Sequence, residues 1–157
     1  MEFRDALNIV TAELTPQPWD YTTPDGVTLT VIPRGWAADP GEAEVLIRVT
    51  RADASGLADT TARTRGAAQF SLTTTRLPGL IEALQQRIIW REDYVLVGDD
   101  LIVTPDATGV AVTVAEAHRD GKGWLTVTGS LHLPEPQRLP FASALRRALD
   151  VARAWED

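Results

Sequence analysis

The sequence contains no cysteine. Disulfides, thiolate nucleophiles, zinc ribbons and cysteine-ligated iron–sulfur clusters are therefore excluded. Histidine is nearly as scarce. His118 and His132 are the whole supply, too few for a histidine-built metal centre and best read as two solvated side chains. Lysine occurs once, at Lys122, beside 14 arginines and 21 alanines. No run approaches 18 apolar residues, so no segment reads as membrane-spanning. The polar start Met1-Glu2-Phe3-Arg4-Asp5 does not read as a secretory signal. The expected address is the cytoplasm.

What is present suits a folded domain. A chain of 157 residues with 44% hydrophobic and 24% charged side chains has the length and composition of a single globular domain, here 1–157. Acids number 22 and bases 15, for a net charge of −7. The excess is concentrated in residues 1–52, with 8 acids against 4 bases. Such a surface repels phosphate, so nucleic acid is an unlikely partner on composition.

Hydrophobic periodicity orders the elements. Phe3, Leu7, Val10 and Leu14 recur at helical spacing and predict a helix over 2–14, ended by Pro16 and Pro18. Residues 15–26 read as a loop with an Asp25-Gly26 turn. Alternation predicts strands at 27–32, closed by Pro33, and at 44–51 and 68–73. Residues 52–66 hold one large apolar side chain, Leu57, and are the least core-like stretch. Pro78 opens a helix whose buried face is Leu80, Ile81, Leu84 and Ile88. Short strands follow at 94–97, 101–104 and 110–114, then a turn at 118–122 and a strand at 124–133. Pro140 opens a last helix with Phe141, Leu145, Ala148, Ala152 and Trp155 inward.

This pattern predicts an α+β fold: an antiparallel sheet of six to seven strands with three helices. It also admits a duplicated strand-strand-strand-helix unit, with halves at 27–90 and 94–157. Arg76-Leu77-Pro78 and Arg138-Leu139-Pro140 open the two later helices, and Trp90 and Trp155 close them. Exposed sheet edges would allow a homodimer.

Catalytic patterns are missing. Asp99-Asp100 follows Gly98 and suits a turn better than an acid–base pair, because adjacent strand residues face opposite ways. Gly121-Lys122-Gly123 lacks the upstream glycine and the following hydroxyl of a phosphate loop. No serine sits in a nucleophile elbow. No enzymatic activity, metal or cofactor is expected.

Two surfaces are candidates for binding. Trp19, Asp20, Tyr21, Asp25, Trp36 and Asp39 lie in Pro/Gly-rich loops of the acidic third, where a tryptophan is either tucked under its loop or offered to a partner. Arg63, Arg65, Arg76, Arg87 and Arg91 surround the third strand and the helix after it. Arg146, Arg147 and Arg153 on the last helix read as a solvated face pairing with Glu82, Asp150 and Glu156.

The Phe3/Leu7/Val10/Leu14 stripe, the strand series and the Leu-Pro before each later helix resemble three groups in element order. One is the small acidic chaperones of bacterial secretion systems. The second is the Whirly-like single-stranded-DNA-binding proteins, with sheets followed by helices in two copies. The third is small actinobacterial proteins, some of them immunity proteins. The first and third imply a protein-binding module that docks a basic toxin or secreted client on the acidic, tryptophan-bearing loops. The second implies a single-stranded nucleic-acid-binding regulator using the five arginines. A small-molecule site between sheet and helices is a further alternative. The binding module is the leading expectation.

Overall fold

The computed structural model describes residues 19–36, 39–51, 67–94, 98–120 and 123–156. The predicted helix at 2–14 lies outside them. The described chain runs β1 (Trp19–Thr22), β2 (Val27–Trp36), β3 (Asp39–Arg51), β4 (Ala67–Thr73), α1 (Leu77–Gln86), β5 (Trp90–Tyr94), β6 (Asp99–Asp106), β7 (Gly109–Asp120), β8 (Gly123–Pro134), a 3-10 turn (Glu135–Gln137) and α2 (Arg138–Glu156).

The strands form two four-stranded antiparallel sheets, ordered β1-β2-β3-β4 and β5-β6-β7-β8. This corrects the expectation of one sheet of six to seven strands with three helices. The repeating unit is four strands and a helix, not three. Each sheet is a meander of neighbouring strands, and α1 separates the two. Alternation along a strand fixes which side faces the core, but not how many sheets share that core.

Several boundaries also move. The first strand of the molecule falls inside the expected loop, where Trp19 and Tyr21 pair with Val31 and Leu29. β2 continues through Pro33, which pairs with Val45 and is buried. Among the described residues β1 pairs only as far as Val31 and no described strand pairs with that edge of β2 at Pro33, where a residue without N–H is tolerated. α1 stops at Gln86 because Arg87 takes a left-handed conformation (φ 57°) and the Ile88 N–H turns back to the Ala83 carbonyl at 2.9 Å. Ile88 is thereby expelled from the helix face expected to bury it and is 50% exposed. Trp90, expected to close that helix, instead opens β5 opposite Val103.

The core lies between the facing sheets and the two helices. Val31, Ile47 and Phe70 share one row of the first sheet, and Val103, Val112 and Leu131 one row of the second. All six are buried. Phe141, Leu145 and Leu149 of α2 are fully buried in the same cluster. The sheets come close where Gly129 of β8 crosses Val49 of β3. A β-carbon added at Gly129 would stand 2.9 Å from the Val49 Cβ. Glu116 of β7 also crosses over, its carboxylate accepting the Gln69 N–H of β4 at 3.3 Å. That bond occupies a donor on an edge strand.

Candidate nucleic-acid interface

The faces turned away from the core are only partly open: on the first sheet Leu46 of β3 shares that face with Ser71 and yet is 3% exposed, and the polar side chains around it are half-buried. On the first sheet the strand alternation turns Thr28, Thr30, Thr50, Arg48, Gln69 and Ser71 outward. Arg48 is central: it lies on β3, with Thr30 of β2 on one side and Gln69 of β4 on the other. Its Nε and one terminal nitrogen both donate to the Gln69 amide oxygen at 3.2 Å. Among the described residues Arg48 forms no ion pair, so its full charge stands on a hydroxyl-lined surface. Arg34 on the same face is paired with Glu44 and also reaches the Ser71 hydroxyl at 3.5 Å.

The second sheet turns out Arg91 with Asp93, Asp100 and Asp106, an acid-dominated face. The Asp100 hydrogen bond holds the Arg91 guanidinium even more firmly protonated than usual. Asp106 sits 3.0 Å from the His132 Nε2 and accepts the Thr108 N–H at 2.8 Å. The His132 hydrogen bond first, and the Thr108 N–H second, lower its carboxyl to about 2. His132 is thus engaged with a carboxylate rather than simply solvated.

The expected arginines are placed differently from their sequence reading. Arg76 donates to Glu92 with its Nε at 2.8 Å and through a second nitrogen. Arg87 is paired with Glu135, and Arg91 with Asp100 at 3.0 Å. These three are neutralised locally, and Arg63 and Arg65 lie outside the described residues. Arg146, Arg147 and Arg153 are exposed on α2. Two of the three expected carboxylate partners are engaged elsewhere: Glu82 accepts from Gln86 and Glu156 from Thr74. Among the described residues none of the three arginines forms an ion pair.

The loop-tryptophan surface is also redrawn. Trp19 is half-buried and stacks on Phe141 of α2, ring centroids 5.6 Å apart and planes inclined by 22°. Tyr21 is half-buried beside it in β1, while Asp20 is exposed. Asp25 is an exposed turn residue whose carboxyl is lowered, first by the Thr23 hydroxyl and then by backbone. Trp36 and Asp39 belong to β2 and β3. Their side chains lie outside the described residues. Sequence reasoning missed Arg48 because it looked for clusters of arginine, and only strand register places one arginine at a sheet centre. Among the described residues no group of three or more His, Asp or Glu could hold a metal ion, and no helix is long and apolar enough to cross a membrane.

No protein-family model matches the chain, and no curated protein matches it either. Solved structures do. The chain resembles WHY3 from Arabidopsis thaliana with a TM-score of 0.59 at 16% identity, over 89% of this chain and 90% of that one. It resembles the plant transcriptional regulator PBF-2 with a TM-score of 0.60 at 16% identity, over 88% and 82%. WHY1 from Arabidopsis thaliana gives 0.59 at 16% identity, over 89% and 93%. This chain therefore shares the fold of these Whirly proteins. That likeness overturns the leading expectation of an actinobacterial immunity or secretion-chaperone type, with its protein client, and the view of nucleic acid as an unlikely partner.

Proposed function

We propose that this chain is a non-enzymatic, Whirly-like regulator that binds single-stranded nucleic acid on the outer face of its first sheet. The observation that carries the reading is the shared fold across about nine-tenths of the chain, one of the similar structures being a transcriptional regulator. The surface chemistry supports the choice of sheet. Phosphate is attracted by Arg48, which forms no ion pair among the described residues, and threonine and serine hydroxyls can bond to phosphate or base edges. The second sheet's three aspartates would repel the same strand. The reading keeps the cytoplasmic address expected from the sequence.

A chain of net charge −7 cannot draw on a broad basic field, so its phosphate contacts are few and its salt dependence shallow. Each phosphate contact to a single strand contributes a slope of about −0.7 in log K against log salt. Fluorescence anisotropy with a labelled single-stranded oligonucleotide, titrated at low and high salt, tests this. Binding that weakens with salt is expected. Arg48→Ala should lower affinity and reduce the slope by about 0.7. Absence of salt-sensitive binding, or an unaltered slope in the variant, overturns the reading.

A further inference from the structure

Among the described strands β1 and β4 lie at the edges of the first sheet, and β5 and β8 at those of the second. Three of them are blunted. β1 has four residues. β4 has its Gln69 N–H taken by the Glu116 carboxylate. β5 has five residues, and Arg91, Glu92 and Asp93 are three of them. Short, charged or occupied edges resist pairing with another chain. β8 is different. It runs for twelve residues, Gly123–Pro134, without an Asp, Glu, Lys or Arg, and its one proline stands at the very end.

The ladder shows which backbone groups β8 leaves over. The Glu135 N–H donates to the Thr108 carbonyl at 2.9 Å, and bonded and non-bonded pairs alternate along an antiparallel ladder. In this register Leu133, Leu131, Gly129, Val127 and Leu125 exchange bonds with β7. Trp124, Thr126, Thr128, Ser130 and His132 therefore turn N–H and carbonyl the other way. Among the described residues no strand pairs with that row. Thr126, Thr128, Ser130 and His132 are all exposed.

The row is complementary to itself. Thr128 is its middle member. A two-fold axis at Thr128 sets Thr126 opposite Ser130 and Trp124 opposite His132, and every outward N–H then meets a carbonyl. Hydroxyl pairs across neighbouring strands are favourable. Charge agrees. A chain of net charge −7 repels its own copies over most of its surface, but along this strand no carboxylate meets another.

We propose that two copies of this chain join antiparallel along β8, so that their second sheets become one continuous sheet. The occupant of the edge is a second copy, and the proposal does not depend on the nucleic-acid reading. The chain has no cysteine, so Thr128→Cys introduces a single thiol. Residues bonded across an antiparallel ladder have Cα atoms about 5.5 Å apart, within reach of a disulfide. Mild oxidation should turn most of Thr128→Cys into a covalent dimer. Thr22→Cys, exposed on β1, should stay single. No dimer from Thr128→Cys, or as much from Thr22→Cys, overturns the proposal. In sedimentation equilibrium the parent should have about twice the mass of Thr128→Lys, which sets like charges face to face across the axis. Thr128 is exposed and its N–H makes no bond to β7, so the fold survives the change. Thr128→Pro removes only that outward N–H and should also halve the mass. An unaltered mass in either variant overturns the proposal. So does a monomeric parent, which would leave the edge to a strand of another protein.

Discussion

Gly129 is a position whose reason is invisible along the chain. In β8 it interrupts Val127, Leu131 and Leu133, and alternation alone reads it as a weak point. The reason is across the core, where Val49 leaves no room for a β-carbon. Gly129→Ala should destabilise by about 1–3 kcal/mol, read from the midpoint of urea unfolding, because the crossing sheets must separate. Arg87 is the opposite case. It occupies a left-handed cap that costs a non-glycine residue about 1 kcal/mol. Its exposed ion pair returns about 0–1 kcal/mol, and Glu135 keeps Arg138. Arg87→Gly should therefore raise stability by up to about 1 kcal/mol. Asp106 gives a pH prediction. Its carboxyl is lowered from 3.8 to about 2, so its contribution is complete above the unfolded value and disappears as pH falls through 2. Asp106→Asn should flatten the stability profile between about pH 4 and pH 2, read from urea melts at each pH.

At the scale of elements, the joint between α1 and α2 is the most informative. Periodicity and the two Leu-Pro starts announce both helices, and Pro78 and Pro140 sit in first turns as expected. Periodicity does not show where α1 ends, since Ile88 continues the apolar spacing. The end is set by the left-handed turn at Arg87 and by Arg138, a buried guanidinium that satisfies the last carbonyls of α1. Arg138→Met should cost about 2–4 kcal/mol, because Leu84 and Glu135 lose their donor. Arg138→Lys should recover little, since an ammonium lacks the fork that reaches both partners. Denaturant melts of the two variants decide this, and equal stability of Arg138→Lys and the parent would contradict it.

At the scale of the molecule, charge and fold point in different directions, and the binding experiment decides between them. Net charge argues against a polyanion, but it is an average. Arg76, Arg87 and Arg91 contribute to that average and are paired with neighbouring carboxylates, whereas among the described residues Arg48 forms no ion pair. A salt-dependent single-strand affinity that depends on Arg48 is the outcome expected.

The amino-acid sequence by itself determined which residues alternate, where the prolines start helices, that cysteine chemistry is absent, and that Asp25-Gly26 turns the chain. These are properties of neighbours along the backbone, set by dihedral preference and by periods of 2 and 3.6 residues. Tertiary structure alone decided that the strands split into two sheets, that Gly129 meets Val49, that Trp19 lies on Phe141, and which arginines are paired with carboxylates. Those outcomes depend on partners far apart in the chain: Trp19 and Phe141 are 122 positions apart. No local pattern records such a pairing, because the energy that selects it arises only when the packed core closes.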